Sequence, residues 1–278
     1  MLVFSTIRRY AKSFKNFPSV YLNNLRANFN FDVTLRKTGK TIRVRSPSFL
    51  FFLSFNPNII DYDSKLDILT LDFDNKMVKF EGVSANGDLA SVFIKRDYDI
   101  EVTNKIVLDI GANIGDSSIF FSLKGAEKVI AVEPIFENFN LLVRNIIQNA
   151  CEKLIIPLMV GISSNNTPVK IRDFNLIGPS FSINDLIEKD GHELTTVTLT
   201  QLIDAYNPEV IKMDCEGCEY TAILELKANN LKRIKIIILE YHNGYQTLLV
   251  HLNEIGFDCR IKKDSKMRGI LLATLKTN

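Results

Sequence analysis

From residue 105 onwards, short apolar runs alternate with stretches of helical periodicity, and this alternation constrains the fold more than any other feature. Strands separated by helices predict a parallel sheet with crossover helices. The last two apolar runs, 257–261 and 270–275, have too short a linker for a helix and predict a C-terminal antiparallel hairpin. The other predicted strands are 105–110, 128–132, 154–160, 210–213 and 234–239, and the predicted helices are 116–124, 135–149, 219–229 and 245–255.

The beginning of the chain is strongly basic. Residues 1–60 hold ten Lys and Arg residues against one acid, Asp32, whereas the remainder holds 24 bases and 31 acids. Within this region, residues 1–30 repeat apolar side chains at three- and four-residue intervals, which predicts an amphipathic helix that ends before Pro18. We expect the helix to pack on its own domain, with peripheral membrane contact as an open alternative.

Residues 31–100 alternate with period two and predict a small antiparallel β region. One hairpin is expected around Thr38-Gly39, a second around Asp74-Asn75, and a further strand at 92–94. We therefore divide the chain into a basic amphipathic segment 1–30, a β-rich subdomain 31–100 and a larger α/β domain 101–278.

The composition, with 46% hydrophobic and 24% charged residues, is typical of a globular protein. It excludes a disordered tail, a collagen-like repeat and a disulfide-dense secreted scaffold. The apolar stretch 49–55 is far shorter than the roughly 20 residues of a membrane span, and no secretory signal pattern is evident at the start. Four cysteines without a framework spacing favour a reducing compartment, so we expect a cytoplasmic protein.

The segment after the first strand of the sheet has the pattern of a cofactor loop. It reads DIGANIGD over residues 109–116, and its two glycines allow a sharp turn and a close approach to a ligand. The next strand ends in Glu133, whose carboxylate can accept hydrogen bonds from the two hydroxyls of a ribose. The candidate cofactor-binding residues are Asp109, Gly111, Asn113, Gly115, Asp116 and Glu133.

The loop favours S-adenosylmethionine (SAM) over a phosphate-bearing cofactor. A dinucleotide site requires a third glycine, which is absent, and Asp116 at the helix start is a poor neighbour for a pyrophosphate. A negative side chain suits the sulfonium and ammonium groups of SAM. An oxidoreductase with a Rossmann-type NAD site stays as the alternative.

Polar side chains also end the two following strands. Asp214 and Glu216 follow one strand, and Glu240 and His242 end the next, so all four can converge at one edge of the sheet. Clustered carboxylates raise each other's proton affinity, which suits a general base, or they hold a divalent cation. We take these four as the candidate catalytic residues, assign no metal ligand, and leave metal dependence open.

Cys215 and Cys218 form a C-x-x-C pattern within this cluster. A zinc site requires a second pair of ligands, and the sequence offers none with paired spacing. A thioredoxin-like motif would not have interleaved carboxylates. We therefore expect neither a zinc site nor a redox motif.

Four blocks, taken in order, resemble the FkbM-type SAM-dependent methyltransferases. They are KIVLDIGANIGD at 105–116, VEP at 132–134, IKMDCEGCEY at 211–220 and ILEYH at 238–242, and the resemblance covers roughly residues 97–262. It implies a class I methyltransferase (Rossmann-like) seven-stranded sheet, SAM at the 111–115 bend with Glu133 on the ribose, and methyl transfer usually to a hydroxyl oxygen. Cys218 stands where the family commonly has alanine.

The expected activity is O-methylation of a hydroxyl on a sugar, a glycan or a small metabolite. A hydroxyl is a weak nucleophile, so Asp214, Glu216 or His242 would remove its proton, with Glu240 orienting His242 or sharing a metal. The motifs of base-methylating enzymes, a [DN]-P-P-[YFW] loop and a Pro-Cys nucleophile, are absent, so we expect no nucleic acid partner. A non-catalytic binding module with this fold is the remaining alternative, and we expect the insert 161–200 to shape the acceptor site.

Overall fold

The computed structural model describes residues 2–84, 87–164, 167–171, 192–231, 233–265 and 267–276. The chain divides into two compact units, with the boundary between Arg96 and Asp97. No helix in the described ranges is both long enough and apolar enough to cross a membrane.

The first unit combines three α-helices with short antiparallel sheets. Its helices are α1 (Leu2–Ser13), α2 (Phe17–Leu25) and α3 (Pro47–Ser54), and its strands are β1 (Phe31–Thr34), β2 (Thr41–Val44), β3 (Ile59–Asp63), β4 (Ile68–Phe73) and β5 (Lys76–Glu81). Strand β1 pairs with β2, and β4 lies between β3 and β5. Both predicted hairpins are present, and Asp74 and Asn75 turn the second one with φ values of 50° and 62°.

One element of this unit differs from its prediction. The expected strand at 92–94 belongs to a π-helical turn, Ala90–Ile94, because the Ser91 N–H and the Val92 N–H bond to the side chain and the carbonyl of Asp88. The predicted helix is α1, which ends at Ser13, before Pro18, and Pro18 lies in the first turn of the next helix, α2. Proline is tolerated there because the N–H groups of a first turn have no partner within the helix.

The second unit contains the large sheet. Its strands are β6 (Ile106–Ile110), β7 (Lys128–Val132), β8 (Ile155–Leu158), β9 (Gly161–Ile162), β10 (Val169–Ile171), β11 (His192–Leu194), β12 (Thr196–Val197), β13 (Val210–Met213), β14 (Ile236–Tyr241), β15 (Phe257–Asp264) and β16 (Gly269–Leu275). Its helices are α4 (Asp116–Leu123), α5 (Phe136–Gln148), α6 (Leu199–Tyr206), α7 (Cys218–Leu224) and α8 (Gln246–Glu254), with a 3-10 turn at Ala228–Asn230.

Seven strands form one sheet in the order β15-β16-β14-β13-β6-β7-β8. The five strands from β14 to β8 are parallel, and β16 pairs antiparallel with both β14 and β15. The predicted seven-stranded sheet with its C-terminal hairpin is therefore confirmed. Because β6, β7, β13 and β14 are parallel, their carboxyl ends meet at one edge, and β6 lies at the point where the strand order reverses.

The helix predicted at 219–229 is shorter, because α7 ends at Leu224. Leu226 and Leu231 are both buried in the core beside the sheet. In a continuous helix, residues five apart point about 140° away from each other, so the chain leaves the α-helix to bury both. Of the insert 161–200, residues 172–191 lie outside the described part of the chain.

Candidate functional site

The loop after β6 contains three residues with left-handed backbone conformations. Gly111 has a φ of 76°, Asn113 a φ of 48° and Gly115 a φ of 91°. This loop lies against the segment after β13, since a Cβ atom on Gly111 would be 1.9 Å from the carbonyl oxygen of Asp214. Only glycine combines easy access to a positive φ with the absence of a Cβ atom. Position 111 therefore requires glycine for both its backbone conformation and the space available.

Glu133 follows β7 and is joined directly to this loop. Its Oε2 accepts a 2.9 Å hydrogen bond from the backbone N–H of Asn113, and its Oε1 accepts one of 2.9 Å from the N–H of Ile135. The side chain of Asn138 also bonds to this carboxylate, so ribose hydroxyls would share its remaining lone pairs. Burial raises the pKa of Glu133 to about 7, although these backbone hydrogen bonds act in the opposite direction.

Asp109 lies beneath the loop and is fully buried. Its Oδ1 is 3.0 Å from Nζ of Lys212, and its Oδ2 accepts from the hydroxyls of Ser117 at 2.7 Å and Ser118 at 2.6 Å. Lys212 Nζ also donates to the carbonyl of Gly111 at 2.9 Å. Asp109 therefore acts on the loop through Lys212, as a positioning residue.

Asp116 is the first residue of α4 and is almost completely buried. Its Oδ1 accepts a 2.9 Å hydrogen bond from the N–H of Ser117. A carboxylate is stabilised at this end of a helix, where backbone N–H groups lack helical partners. The six candidate cofactor-binding residues thus lie in and around one loop at the carboxyl ends of β6 and β7.

Asp214 and Glu240 share a hydroxyl group from a tyrosine that sequence reasoning missed. Tyr98 is buried, and its hydroxyl lies 2.9 Å from Asp214 Oδ2 and 3.3 Å from Glu240 Oε2. The N–H of Asp214 bonds to the carbonyl of Ile110, which places this acid beside the start of the cofactor loop. The Asp214 side chain keeps 26% of its surface exposed.

Glu216 and His242 form the second part of the acid cluster. His242 Nε2 is 3.2 Å from Glu216 Oε2 and 3.9 Å from Asp214 Oδ1. Arg268, from the linker of the C-terminal hairpin, donates to the same Glu216 oxygen at 2.8 Å. The structure therefore brings together all four candidate catalytic residues, Asp214, Glu216, Glu240 and His242.

Glu219 holds the turn that carries Glu216. It is fully buried, and its two oxygens accept hydrogen bonds from the N–H groups of Cys215 at 2.9 Å and Gly217 at 2.8 Å. Its Oε1 also lies 3.4 Å from His242 Nδ1. One carboxylate thus fixes both the turn and the imidazole ring.

Cys215 and Cys218 form a disulfide, which differs from the expectation of reduced cysteines. Both residues between the cysteines have positive φ values, 54° at Glu216 and 121° at Gly217. This tight turn brings the two Cα atoms to 5.6 Å, within the range that a disulfide spans. The sequence spacing alone does not reveal that turn.

Burial and charge act on the pKa values of the cluster. Burial raises the pKa of both Asp214 and Glu216, so each carboxylate is a stronger base than a solvated one. Burial disfavours the charged form of His242, but Glu219 and Glu216 outweigh it and raise the pKa of the imidazole. The Lys212 pKa is raised in the same way, since Asp109 and Asp214 oppose the effect of burial.

Three members of the cluster have the geometry to hold a divalent cation. Asp214, Glu240 and His242 each offer one ligand atom, and these atoms lie within 4.8 Å of one another. A bound cation would reduce the repulsion between the carboxylates of Asp214 and Glu240. The Tyr98 hydroxyl, which lies within hydrogen-bond distance of both, also reduces this repulsion. The cluster therefore fits either proton transfer or cation binding.

Four supporting residues were missed from the sequence: Tyr98, Lys212, Glu219 and Arg268. Lys212 had a signal, because a lysine within the apolar run 210–213 must find a buried partner. Tyr98 and Arg268 had none, since each is more than 50 residues from the acid that it contacts.

The fold and this site define a SAM-dependent methyltransferase. The sequence model of the FkbM methyltransferase domain matches residues 109–259, which is more than half of the chain. The chain belongs to the FkbM methyltransferase family, and its cofactor is SAM. The predicted family and cofactor are confirmed. No curated protein matches the sequence significantly.

Solved structures with a similar fold include several methyltransferases. Streptococcus pneumoniae Sp1610, solved with SAM, is 17% identical, with a TM-score of 0.42 over 66% of this chain and 72% of its own. Precorrin-6y C5,15-methyltransferase from Geobacter metallireducens is 12% identical, with a TM-score of 0.39 over 63% of this chain and 81% of its own. The tRNA m1G37 methyltransferase of M. jannaschii is 12% identical, with a TM-score of 0.39 over 76% of this chain and 57% of its own.

These comparisons correct one prediction. The expectation that no nucleic acid is a partner is wrong, because the proteins that match include a tRNA methyltransferase. The reason is physical: the missing base-methylation motifs exclude particular chemistries, whereas the sheet itself also serves enzymes that modify RNA. Those substrates belong to the matched proteins, and the likeness at these identities concerns the fold alone.

Proposed function

We propose that this protein is an O-methyltransferase that acts on a hydroxyl group of a sugar, a glycan or a small metabolite. The observation that supports the proposal is the position of Asp214, which lies against the cofactor loop and beside three further titratable side chains. SAM supplies an electrophilic methyl group to such a site. The chain itself must hold the acceptor oxygen in place and take its proton.

Asp214 is the best-placed general base of the cluster. Its raised pKa favours proton uptake, and its backbone contacts the loop at Gly111. The Tyr98 hydroxyl bridges Oδ2 of this carboxylate and the carboxylate of Glu240. His242 lies 3.9 Å from Oδ1 and beside Glu216, and these two residues would orient the hydroxyl or take the proton in turn.

We call the 111–115 loop with Asp109, Asp116 and Glu133 the cofactor half of the site. Calorimetry with S-adenosylhomocysteine tests this half and separates a methyltransferase from an NAD-dependent oxidoreductase. We expect saturable binding of S-adenosylhomocysteine and none of NAD. Because the catalytic set is proposed to work without a metal, adding Mg²⁺ or EDTA should leave both binding and turnover within twofold. NAD binding alone would support the oxidoreductase, and Mg²⁺-dependent turnover would show that the acids hold a cation.

We call Asp214, Glu216, Glu240 and His242 the acceptor half of the site. A transfer assay with methyl-labelled SAM tests this half. Sugars, glycans and tRNA transcripts serve as acceptors, and the product bond is identified by NMR. Asp214→Asn and the double variant Glu216→Ala/His242→Ala should abolish transfer to oxygen while S-adenosylhomocysteine still binds. The controls Asp258→Asn and Glu225→Ala change exposed acids remote from the cluster. Transfer to nitrogen, or full activity of either cluster variant, would contradict the proposal.

A cytoplasmic location and the three-part division at residues 30 and 100 stay predictions from the sequence. Family membership and the acid cluster together make a purely non-catalytic module the weaker alternative, because such a module would have no use for the cluster of Asp214, Glu219 and His242.

A further inference from the structure

The first compact unit has a pocket of about 770 Å³ with a strongly basic lining. Helix α1 contributes Arg8, Arg9 and Lys12, and the C-terminal end of α3 contributes Phe55 and Asn56. Within the part of the chain that the structure describes, no acidic residue lines the pocket. The hydroxyl of Ser13 donates to the carbonyl of Ser54 at 2.6 Å, which ties the two helices together beside it.

The three bases differ from other bases of the same unit. Lys40, Arg43 and Arg96 each form an ion pair with an aspartate. Among the residues that the structure describes, no such partner faces Arg8, Arg9 or Lys12. Arg8 and Lys12 are four residues apart on one helix, where like charges repel each other. The helix therefore keeps an unfavourable concentration of positive charge at the pocket.

Arg9 is held in place for contact with an anion. Its guanidinium carbon is 4.6 Å from the ring centroid of Phe51 and 4.9 Å from that of Phe55. Aromatic contacts orient the planar group, whose donors match pairs of oxygen atoms. Its buried Nε has no hydrogen-bond partner within the described ranges, and neither has the buried Oδ1 of Asn56.

An unpaired buried donor and an unpaired buried acceptor are both unfavourable in a folded protein. Arg9 and Asn56 both line the pocket, and a phosphate ester matches them, because its oxygens accept from guanidinium and amide N–H groups. The two exposed bases, Arg8 and Lys12, would match a second negative charge. The volume falls in the range of small-molecule sites, roughly 300–1,000 Å³, and exceeds what a lone inorganic ion requires.

We propose that this pocket binds a phosphoryl group, as a monophosphate or diphosphate ester. The group could belong to a soluble metabolite or to a lipid headgroup, which share this chemistry. The proposal does not depend on the methyl-transfer reaction, because every lining residue belongs to the first unit.

Calorimetry of the full chain with inorganic pyrophosphate at low salt tests the proposal. We expect saturable binding that weakens at least tenfold in Arg8→Gln/Lys12→Gln. Arg9→Lys keeps the charge but loses the planar fork, and should weaken binding as well. The matched control Arg26→Gln/Lys65→Gln removes two exposed bases of the same unit away from the pocket and should change affinity less than twofold.

Vesicles of phosphatidic acid, with phosphatidylcholine vesicles as the reference, identify the source of the phosphoryl group. Binding to phosphatidic acid that pyrophosphate displaces indicates a lipid headgroup, and pyrophosphate binding without vesicle binding indicates a soluble ester. Both results support the pocket. No binding of either probe, or an equal loss in the pocket and control variants, would overturn it.

Discussion

The two halves of the site are built by different means. In the cofactor half, backbone geometry dominates, with glycines in left-handed conformations and a carboxylate that accepts backbone N–H groups. In the acceptor half, side chains dominate, and each acid is positioned by another side chain such as Tyr98 or Arg268. A substitution in the first half should therefore remove cofactor binding, whereas one in the second should remove turnover alone.

Gly111→Ala should have the largest effect. Its Cβ would lie 1.9 Å from the Asp214 carbonyl, so the loop or the segment after β13 must move, at a cost of more than about 3 kcal/mol. We expect S-adenosylhomocysteine affinity to fall more than 100-fold by calorimetry. Gly125→Ala has similar strain, with a φ of 87° and nothing closer than 3.6 Å, and should cost about 1 kcal/mol of stability while binding persists.

Lys212→Met should be nearly as damaging, because it leaves the Asp109 carboxylate buried beside an uncharged group. Breaking a buried pair in this way costs about 3–5 kcal/mol, and it also frees the carbonyl of Gly111. Urea unfolding measures the decrease in the free energy of unfolding. The double variant Asp109→Asn/Lys212→Met should recover part of this free energy. If the single variant is as stable as the wild type, the proposed support of the loop is incorrect.

Tyr98→Phe tests the acceptor half. Loss of a hydrogen bond to a charged group costs about 1.5–3 kcal/mol, so turnover should fall by about 10- to 100-fold with the acceptor that the transfer assay identifies. Affinity for S-adenosylhomocysteine should stay within twofold, because the hydroxyl bonds to Asp214 and Glu240 in the acid cluster. A matching loss of cofactor affinity would show that the two halves are not separable.

The pH dependence of cofactor binding should show a smaller effect. Burial raises the pKa of Glu133 to about 7, so below that pH the carboxyl takes up a proton and loses its capacity to accept two ribose hydroxyls. If only the ionised form binds, affinity for S-adenosylhomocysteine should rise about tenfold between pH 6 and pH 8. Glu133→Gln should bind weakly with a flat profile, and a pH-dependent variant would assign the titration to another group.

The cofactor half could be predicted because its signals are local. A glycine bend after an apolar strand and an acid at the end of the next strand both follow from the connectivity of a parallel sheet. The four catalytic candidates were predicted for the same reason, since they end two adjacent strands. The residues that position these acids were not predicted. Tyr98 and Arg268 contact the cluster from segments whose positions the hydrophobic periodicity does not specify.

The first unit was harder to predict for a related reason. Its hairpins have turn residues that favour positive φ, such as Asp74-Asn75, and these were found. The run at 92–94 has high β-propensity, but the Asp88 side chain caps a helical turn there, and this local hydrogen bond outweighs the propensity.

A crystal structure of the chain with S-adenosylhomocysteine would test the central claim most directly. The account predicts ribose hydroxyls within hydrogen-bond distance of Glu133, the ligand over the 111–115 loop, and its sulfur facing Asp214. A ligand bound elsewhere, or with its sulfur turned away from the acid cluster, would contradict it.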